Sequence, residues 1–297
     1  TRPGERVLVP DQAFHAVASS VRAVGAEPVP VDINDDDLNM CADALSVELG
    51  QGTAAAVIAV DNYGTPCDWA ALSMIAHENG VPLIVDACES LGAVRKGQSV
   101  TDHADLVVIS FSFTKPIHAA GMGGALIASD ELIDELETNP EFMCRQLRMP
   151  ELNAAYLRRM WYQIPDNISK LRGHYAQYRD ELELLGFQPQ AENGSSTRIH
   201  APFVGPMDWT SDVRNDLIRQ LQQRGIAAAH QFPLQSDLLG LPKTCPTARV
   251  IDQRLISLPT GVGLDSRSIQ RVVASVRELE ELRTQSGRTR PEVTTTS

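Results

Sequence analysis

The stretch Trp69-Ala70-Ala71-Leu72-Ser73-Met74-Ile75-Ala76-His77-Glu78-Asn79-Gly80-Val81-Pro82-Leu83-Ile84-Val85-Asp86 decides how the rest of the chain is read. Its first ten residues have helical character, and Gly80 sits where a helix ends on a left-handed residue. A short, continuously apolar run follows, Pro82-Leu83-Ile84-Val85, and stops at a carboxylate. A strand that is apolar on both faces is covered on both faces, as in a parallel α/β sheet.

The same grammar recurs on either side. Apolar runs stand at 7–9, 28–32, 54–60, 106–110 and 124–128, with a helical pattern at 16–24 and a Ser129-capped, acid-led helix after the last run. Alternating strand and helix predicts an α/β fold with a mostly parallel sheet. After Pro150 the texture changes. Residues 151–185 read as helix with a break near Pro165, 197–204 as strand, 211–224 as helix closed by Gly225, 226–231 and 255–258 as extended, and 266–283 as an amphipathic helix. That α+β pattern predicts a large domain over 1–149, a smaller one over 150–285, and a disordered polar tail over 286–297.

Bulk properties exclude several classes. The net charge of -12 argues against a nucleic-acid partner, which needs clustered Lys and Arg. The five cysteines are widely spaced with no CxxC pair, so neither a zinc site nor a disulfide framework is expected. A reducing cytoplasm fits them best. No apolar run is long enough to span a bilayer.

Ligands of open α/β sheets bind beyond the carboxyl ends of the strands. Asp86 closes one run; a carboxylate there is costly unless it is paired with a cation or caps the next helix. Lys115 follows the run ending at Ser110, within Ser110-Phe111-Ser112-Phe113-Thr114-Lys115-Pro116. It is either a surface lysine or an amine held ready to attack a carbonyl. Ser110 either bonds backbone or reaches a phosphate oxygen. Phe14, after Pro10-Asp11-Gln12-Ala13, is either a core residue or a platform for a flat ring. The glycines of Gly121-Met122-Gly123-Gly124 allow a tight return into the sheet beside Lys115. No metal-ligand set is expected.

In order along the chain these segments resemble the DegT/DnrJ/StrS family of pyridoxal-phosphate (PLP) sugar aminotransferases, fold type I. Residues 7–14 resemble its VIVPxxTF stretch, 25–32 its GAxPVFVD, and 60–68 its VHLYGxPAD. Residues 85–93 resemble EDAAQAxGA, 110–115 SFxxTK, 148–155 RMSELxAA, and 256–259 the late LSLP. The resemblance implies PLP as cofactor, with Lys115 as its Schiff-base lysine and Asp86 holding the pyridine nitrogen. It places Glu89 near the phenolic oxygen, Ser110 on the phosphate and Phe14 on the ring face. It implies a PLP-dependent transaminase that moves an amino group, usually from glutamate or glutamine, to a keto-sugar, usually nucleotide-linked, or to a cyclitol. Such an enzyme would serve polysaccharide or secondary-metabolite synthesis and work as a homodimer with its site at the subunit interface.

The sequence departs from that pattern in four places. The family's amino-terminal phosphate-cradling turn has no counterpart before residue 7, which predicts weaker cofactor retention. Glu89 stands where Gln is usual, and a carboxylate beside an oxyanion is unfavourable unless protonated. Gln146 and Gln235 replace the usual Asn and His, and the segment between 136 and 145 is short. These departures motivate an alternative: a catalytically degenerate member acting as a scaffold or as a regulatory or heteromeric partner. Keeping both Asp86 and Lys115 argues against it, because each is costly to bury without a cofactor.

Overall fold

The computed structural model describes residues 1–140 and 148–288. Its larger sheet has six strands, β1 (Arg6–Pro10), β2 (Glu27–Val31), β3 (Ala56–Val60), β4 (Leu83–Asp86), β5 (Leu106–Ser110) and β6 (Gly124–Ala128). They lie in the order β2-β1-β3-β4-β5-β6. The first four pairings in that order are parallel and β5–β6 is antiparallel.

The edge position of β2 follows from its sequence. Pro28 and Pro30 lack the N–H a ladder needs, and two residues apart they leave both missing donors on the same side. That side is the open one, since β1 occupies the other. At the opposite edge, β6 is mostly exposed, unlike β1 and β3. The sixth apolar run is therefore an antiparallel edge strand and not one covered on both faces. Hydrophobicity alone does not report strand direction.

Helices α1 (Ala16–Ala23), α2 (Ala42–Gly50) and α3 (Trp69–Glu78) connect the parallel strands, and α4 (Asp130–Thr138) follows β6. Asp68 caps α3, accepting from the Ala71 amide, and Ser129 caps α4. The main core is built of Leu8, Leu45, Val57, Trp69, Leu72, Leu83, Val85 and Val107, all essentially inaccessible. Each such aliphatic side chain stabilises the fold by about 1.5–3 kcal/mol on burial.

Beyond the described break, α5 (Glu151–Met160) leads through a 3-10 turn at Trp161–Gln163 into α6 (Ile164–Leu182). The expected break at Pro165 is real: proline sits in the first turn of α6, where its missing N–H costs nothing. A small antiparallel sheet, β7 (Gln188–Pro189), β8 (Ala201–Val204) and β9 (Leu255–Leu258), packs with α6, α7 (Ser211–Gln223) and α10 (Ser266–Arg288) around Tyr178, Phe203, Leu221 and Val276. Short helices α8 (Gln235–Leu239) and α9 (Pro246–Asp252) complete the chain.

Three expectations change here. Only 201–204 of the 197–204 run is strand. The 226–231 segment makes a single bridge, Ala229 to Ser257, instead of a strand. Helix α10 continues to Arg288, five residues past the expected end at 283; 289–297 lie outside the described residues. Cys41, Cys67, Cys88 and Cys245 are free thiols, and Cys144 lies outside the described residues.

Candidate active site

Parallel strands bring their carboxyl ends to one edge. Val60 pairs with Asp86 and Asp86 with Val108, so β3 and β4 end together and β5 runs on to Ser110. Asp86, Ser110 and, after β1, Phe14 all emerge on this edge.

Asp86 accepts from the Cys88 amide through Oδ1 at 3.0 Å. Burial pushes its carboxyl above the ordinary value; Cys88 opposes the shift, Glu89 adds to it, and Lys115 lowers it. No basic side chain forms an ion pair with Asp86 among the described residues. A nearly buried carboxylate of this kind is a suitable counter-charge for a ligand cation.

Lys115 sits in the turn after β5, its side chain 12% exposed. The turn is fastened at several points. Ala119 donates to the Phe111 carbonyl at 2.9 Å, and Asn167 Nδ2 donates to the Pro116 carbonyl at 2.8 Å. The chain then doubles back through Gly124, which pairs with Ser110. A Cβ at Gly124 would stand 2.8 Å from the Ile109 carbonyl, so the return beside Lys115 needs glycine. Ser110 Oγ accepts from the Ser112 amide at 3.3 Å, leaving its own hydrogen free to donate.

Glu89 is the centre of the polar site. Its Oε1 accepts from Lys115 Nζ at 3.3 Å and from His200 Nε2 at 2.9 Å, and its Oε2 from the Tyr63 amide at 2.9 Å. Burial by itself raises its carboxyl, yet His200 and then Lys115 outweigh burial and hold it below the ordinary value. The expected penalty of a second carboxylate is thus met by a second cation-forming group. Two non-glycine residues with left-handed backbone flank this arrangement, Tyr63 at φ 60° and Arg198 at φ 56°. Such strain persists only where surrounding contacts enforce it. Tyr63 stacks on Phe232 at 4.8 Å, with His200 edge-on to both rings. Thr197 Oγ1 donates to the Glu89 carbonyl.

Phe14 is 48% exposed, its ring edge-on to Phe232 at 6.1 Å. Gln235, expected at a position where His is usual, is buried: its amide donates to the Asp11 carbonyl and its Nε2 to the Ala13 carbonyl, each at 2.6 Å. It pins the turn that presents Phe14. Gln146 lies outside the described residues.

Residues 1–277 match the model of the DegT/DnrJ/EryC1/StrS aminotransferase family. The chain belongs to that family. It is similar, at 28% identity over 294 residues, to a UDP-N-acetyl-3-dehydro-alpha-D-glucosamine 3-aminotransferase of Acidithiobacillus ferrooxidans, covering 93% of this chain and 78% of the relative. The fold superposes on DesI solved with its TDP-sugar product, with a TM-score of 0.83 and 26% identity, covering 97% and 78% of the two chains. A sugar aminotransferase assigned in Streptococcus pneumoniae, in its PLP form, shares the fold at a TM-score of 0.83 and 22% identity, covering 95% and 82%.

The site of this aminotransferase suits PLP on its own geometry. Among the described residues the partly buried Asp86 carboxylate forms no ion pair, Phe14 is half exposed, and the Lys115 amine stands on the same sheet edge. Among the described residues no group of three or more His, Cys, Asp or Glu is placed to hold a metal ion. Sequence reading missed His200, Tyr63 and Thr197. His200 lay inside a run read as strand, and no local pattern marks a histidine that faces a carboxylate 111 positions away.

Proposed function

We propose that this aminotransferase transfers an amino group from glutamate or glutamine to a keto-sugar, nucleotide-linked as in its Acidithiobacillus relative, or to a cyclitol. PLP is its cofactor, and when bound supplies an electron sink. The observation that carries the reading is Asp86: a partly buried carboxylate with no ion-paired cation among the described residues, on the same edge as a Lys115 amine held on a fastened turn.

Each residue then has a task. Asp86 keeps a proton on the ring nitrogen by matching its charge. Lys115 Nζ would hold the cofactor and is the amine placed to move a proton beside it. Ser110 donates its hydroxyl hydrogen to the phosphate. Phe14, half exposed, would cover the ring and keep water from it. Glu89 orients Lys115.

We extend the proposal to assembly and place. Phe113, Met122 and Leu152, each about two-thirds exposed or more, lie in or beside the Lys115 turn. Apolar surface of that kind beside a site suits burial against a second copy, making a homodimer. A boundary near Pro150 divides a cofactor-binding part from a smaller one, whose core is built largely of its own residues. No helix among the described residues is long and apolar enough to cross a membrane; a cytoplasmic location agrees with the free thiols.

The test is an absorbance spectrum with added PLP before and after borohydride, beside Lys115→Ala. A visible band, reduced to a modification mapped to Lys115, is expected. A folded protein that binds no PLP, or traps it on another lysine, would overturn the assignment.

A further inference from the structure

We infer that His200 is a positioning residue for Lys115: by sharing Glu89 Oε1, it keeps the lysine amine from being the sole donor to that oxygen. The inference deepens the proposed function and rests on Lys115 being the cofactor's attachment point.

The geometry makes one oxygen the meeting point of two donors. His200 Nε2 lies at 2.9 Å and Lys115 Nζ at 3.3 Å from the same Oε1, while Oε2 is occupied by the Tyr63 amide. The shorter contact belongs to His200. The side chains of Glu89, Lys115 and His200 are 10%, 12% and 17% exposed, so water screens this charge set poorly. Among the described residues Asp86 also faces it, repelled by Glu89 and attracted by Lys115.

The surroundings are built to hold the carboxylate still. Tyr63 adopts a left-handed backbone that aims its amide at Oε2. Thr197, three residues before His200, fixes the Glu89 main chain. Arg198, also left-handed, is clamped by Gln190 at 3.1 and 3.2 Å and lies 4.0 Å over the Tyr175 ring. The segment that delivers His200 is therefore anchored on both sides of the strained residue.

The chemical consequence concerns one proton. A lysine must shed its proton before its nitrogen can add to an aldehyde carbon. A buried carboxylate with no other partner favours the ammonium form. With His200 Nε2 donating to the same oxygen, Glu89 Oε1 keeps a hydrogen-bond partner when Lys115 Nζ sheds its proton, so the carboxylate holds the ammonium form less firmly.

The test is a double-mutant cycle of the parent, His200→Gln, Glu89→Gln and the double variant. Two quantities are read. One is the rate at which Lys115 of the PLP-free protein is labelled by an amine reagent, measured by mass spectrometry against exposed Lys243. The other is the equilibrium affinity for PLP. His200→Gln should slow Lys115 labelling and weaken PLP binding, each by about tenfold. Glu89→Gln should speed the labelling. In the Glu89→Gln background, adding His200→Gln should change either quantity less than about threefold. Equal effects of His200→Gln in both backgrounds, or none in the parent, would overturn the inference, since a merely packing histidine would act alike in each. If His200→Gln does not fold by circular dichroism, Glu89→Gln alone decides: unchanged Lys115 labelling overturns it. Because labelling needs no cofactor, a parent that fails to trap PLP defeats the proposed function separately.

Discussion

Gly64→Ala should be among the most damaging single-methyl changes in this protein. Gly64 ends the 3-10 turn Asn62–Gly64 at φ +82°. A left-handed backbone costs a non-glycine residue roughly 1–2 kcal/mol. In addition, the new Cβ would stand 2.0 Å from Thr197 Oγ1, 2.8 Å from the Glu89 carbonyl oxygen and 3.3 Å from the Arg198 amide. Two of those neighbours are backbone atoms and cannot rotate away. Overpacking of this kind typically costs about 1–3 kcal/mol, so the expected loss is ~2–5 kcal/mol. Gly80→Ala supplies the control: φ is +67° and nothing lies within 4 Å of its Cβ, so only the backbone cost applies. Urea denaturation, followed by circular dichroism, gives both values as midpoint shifts at constant slope. The second readout is PLP affinity, which should fall in Gly64→Ala because Thr197 and Glu89 must move. A Gly64→Ala loss no larger than that of Gly80→Ala would refute the close approach on which the site's description depends.

Asp61 is buried beneath the site and accepts from the Cys67 amide, the Trp69 indole and Ser90. Burial outweighs these donors and pushes its carboxyl from 3.8 up to about 6. The folded state thus binds this proton more tightly than the unfolded chain. The stability from that proton is fully present below 3.8 and is lost as pH rises through about 6, an effect of ~3 kcal/mol. Asp61→Asn should remove this component, so its urea midpoints between about pH 4 and 7 should follow a different slope from the parent; parallel profiles would contradict it. Phe14→Ala should weaken PLP binding about five- to tenfold while changing stability by less than about 1 kcal/mol, since the ring is half exposed. An equal loss in denaturation would make Phe14 a packing residue. Asp68→Ala removes the cap of α3 and a 2.8 Å pair with Arg95, and should cost about 1 kcal/mol in the same denaturation assay.

Much of this molecule was legible in local pattern. The helix–glycine–strand grammar around Asp86 located α3 and β4, and the same reading located β1, β2, β3 and β5 to within two residues. Strand-end reasoning put Asp86, Ser110 and Lys115 where the sheet carries them. These signals are visible because side-chain period, glycine caps and proline restrictions act over a few neighbouring residues. The short helices α2, α8 and α9 were not legible, since segments of five to nine residues owe their helicity to tertiary packing more than to propensity.

The chain by itself determined an α/β sheet with Asp86 and Lys115 at strand ends. Only the tertiary structure decided how Glu89 is accommodated. In sequence it is a second acid near a cofactor lysine. In three dimensions it shares one oxygen between Lys115 and a histidine 111 residues away and the other with the strained Tyr63 amide. Sequence pattern records the periodicity that burial imposes on one element. It does not record which charge on a distant element will compensate a buried one, because that balance exists only when the elements have closed around it and excluded water.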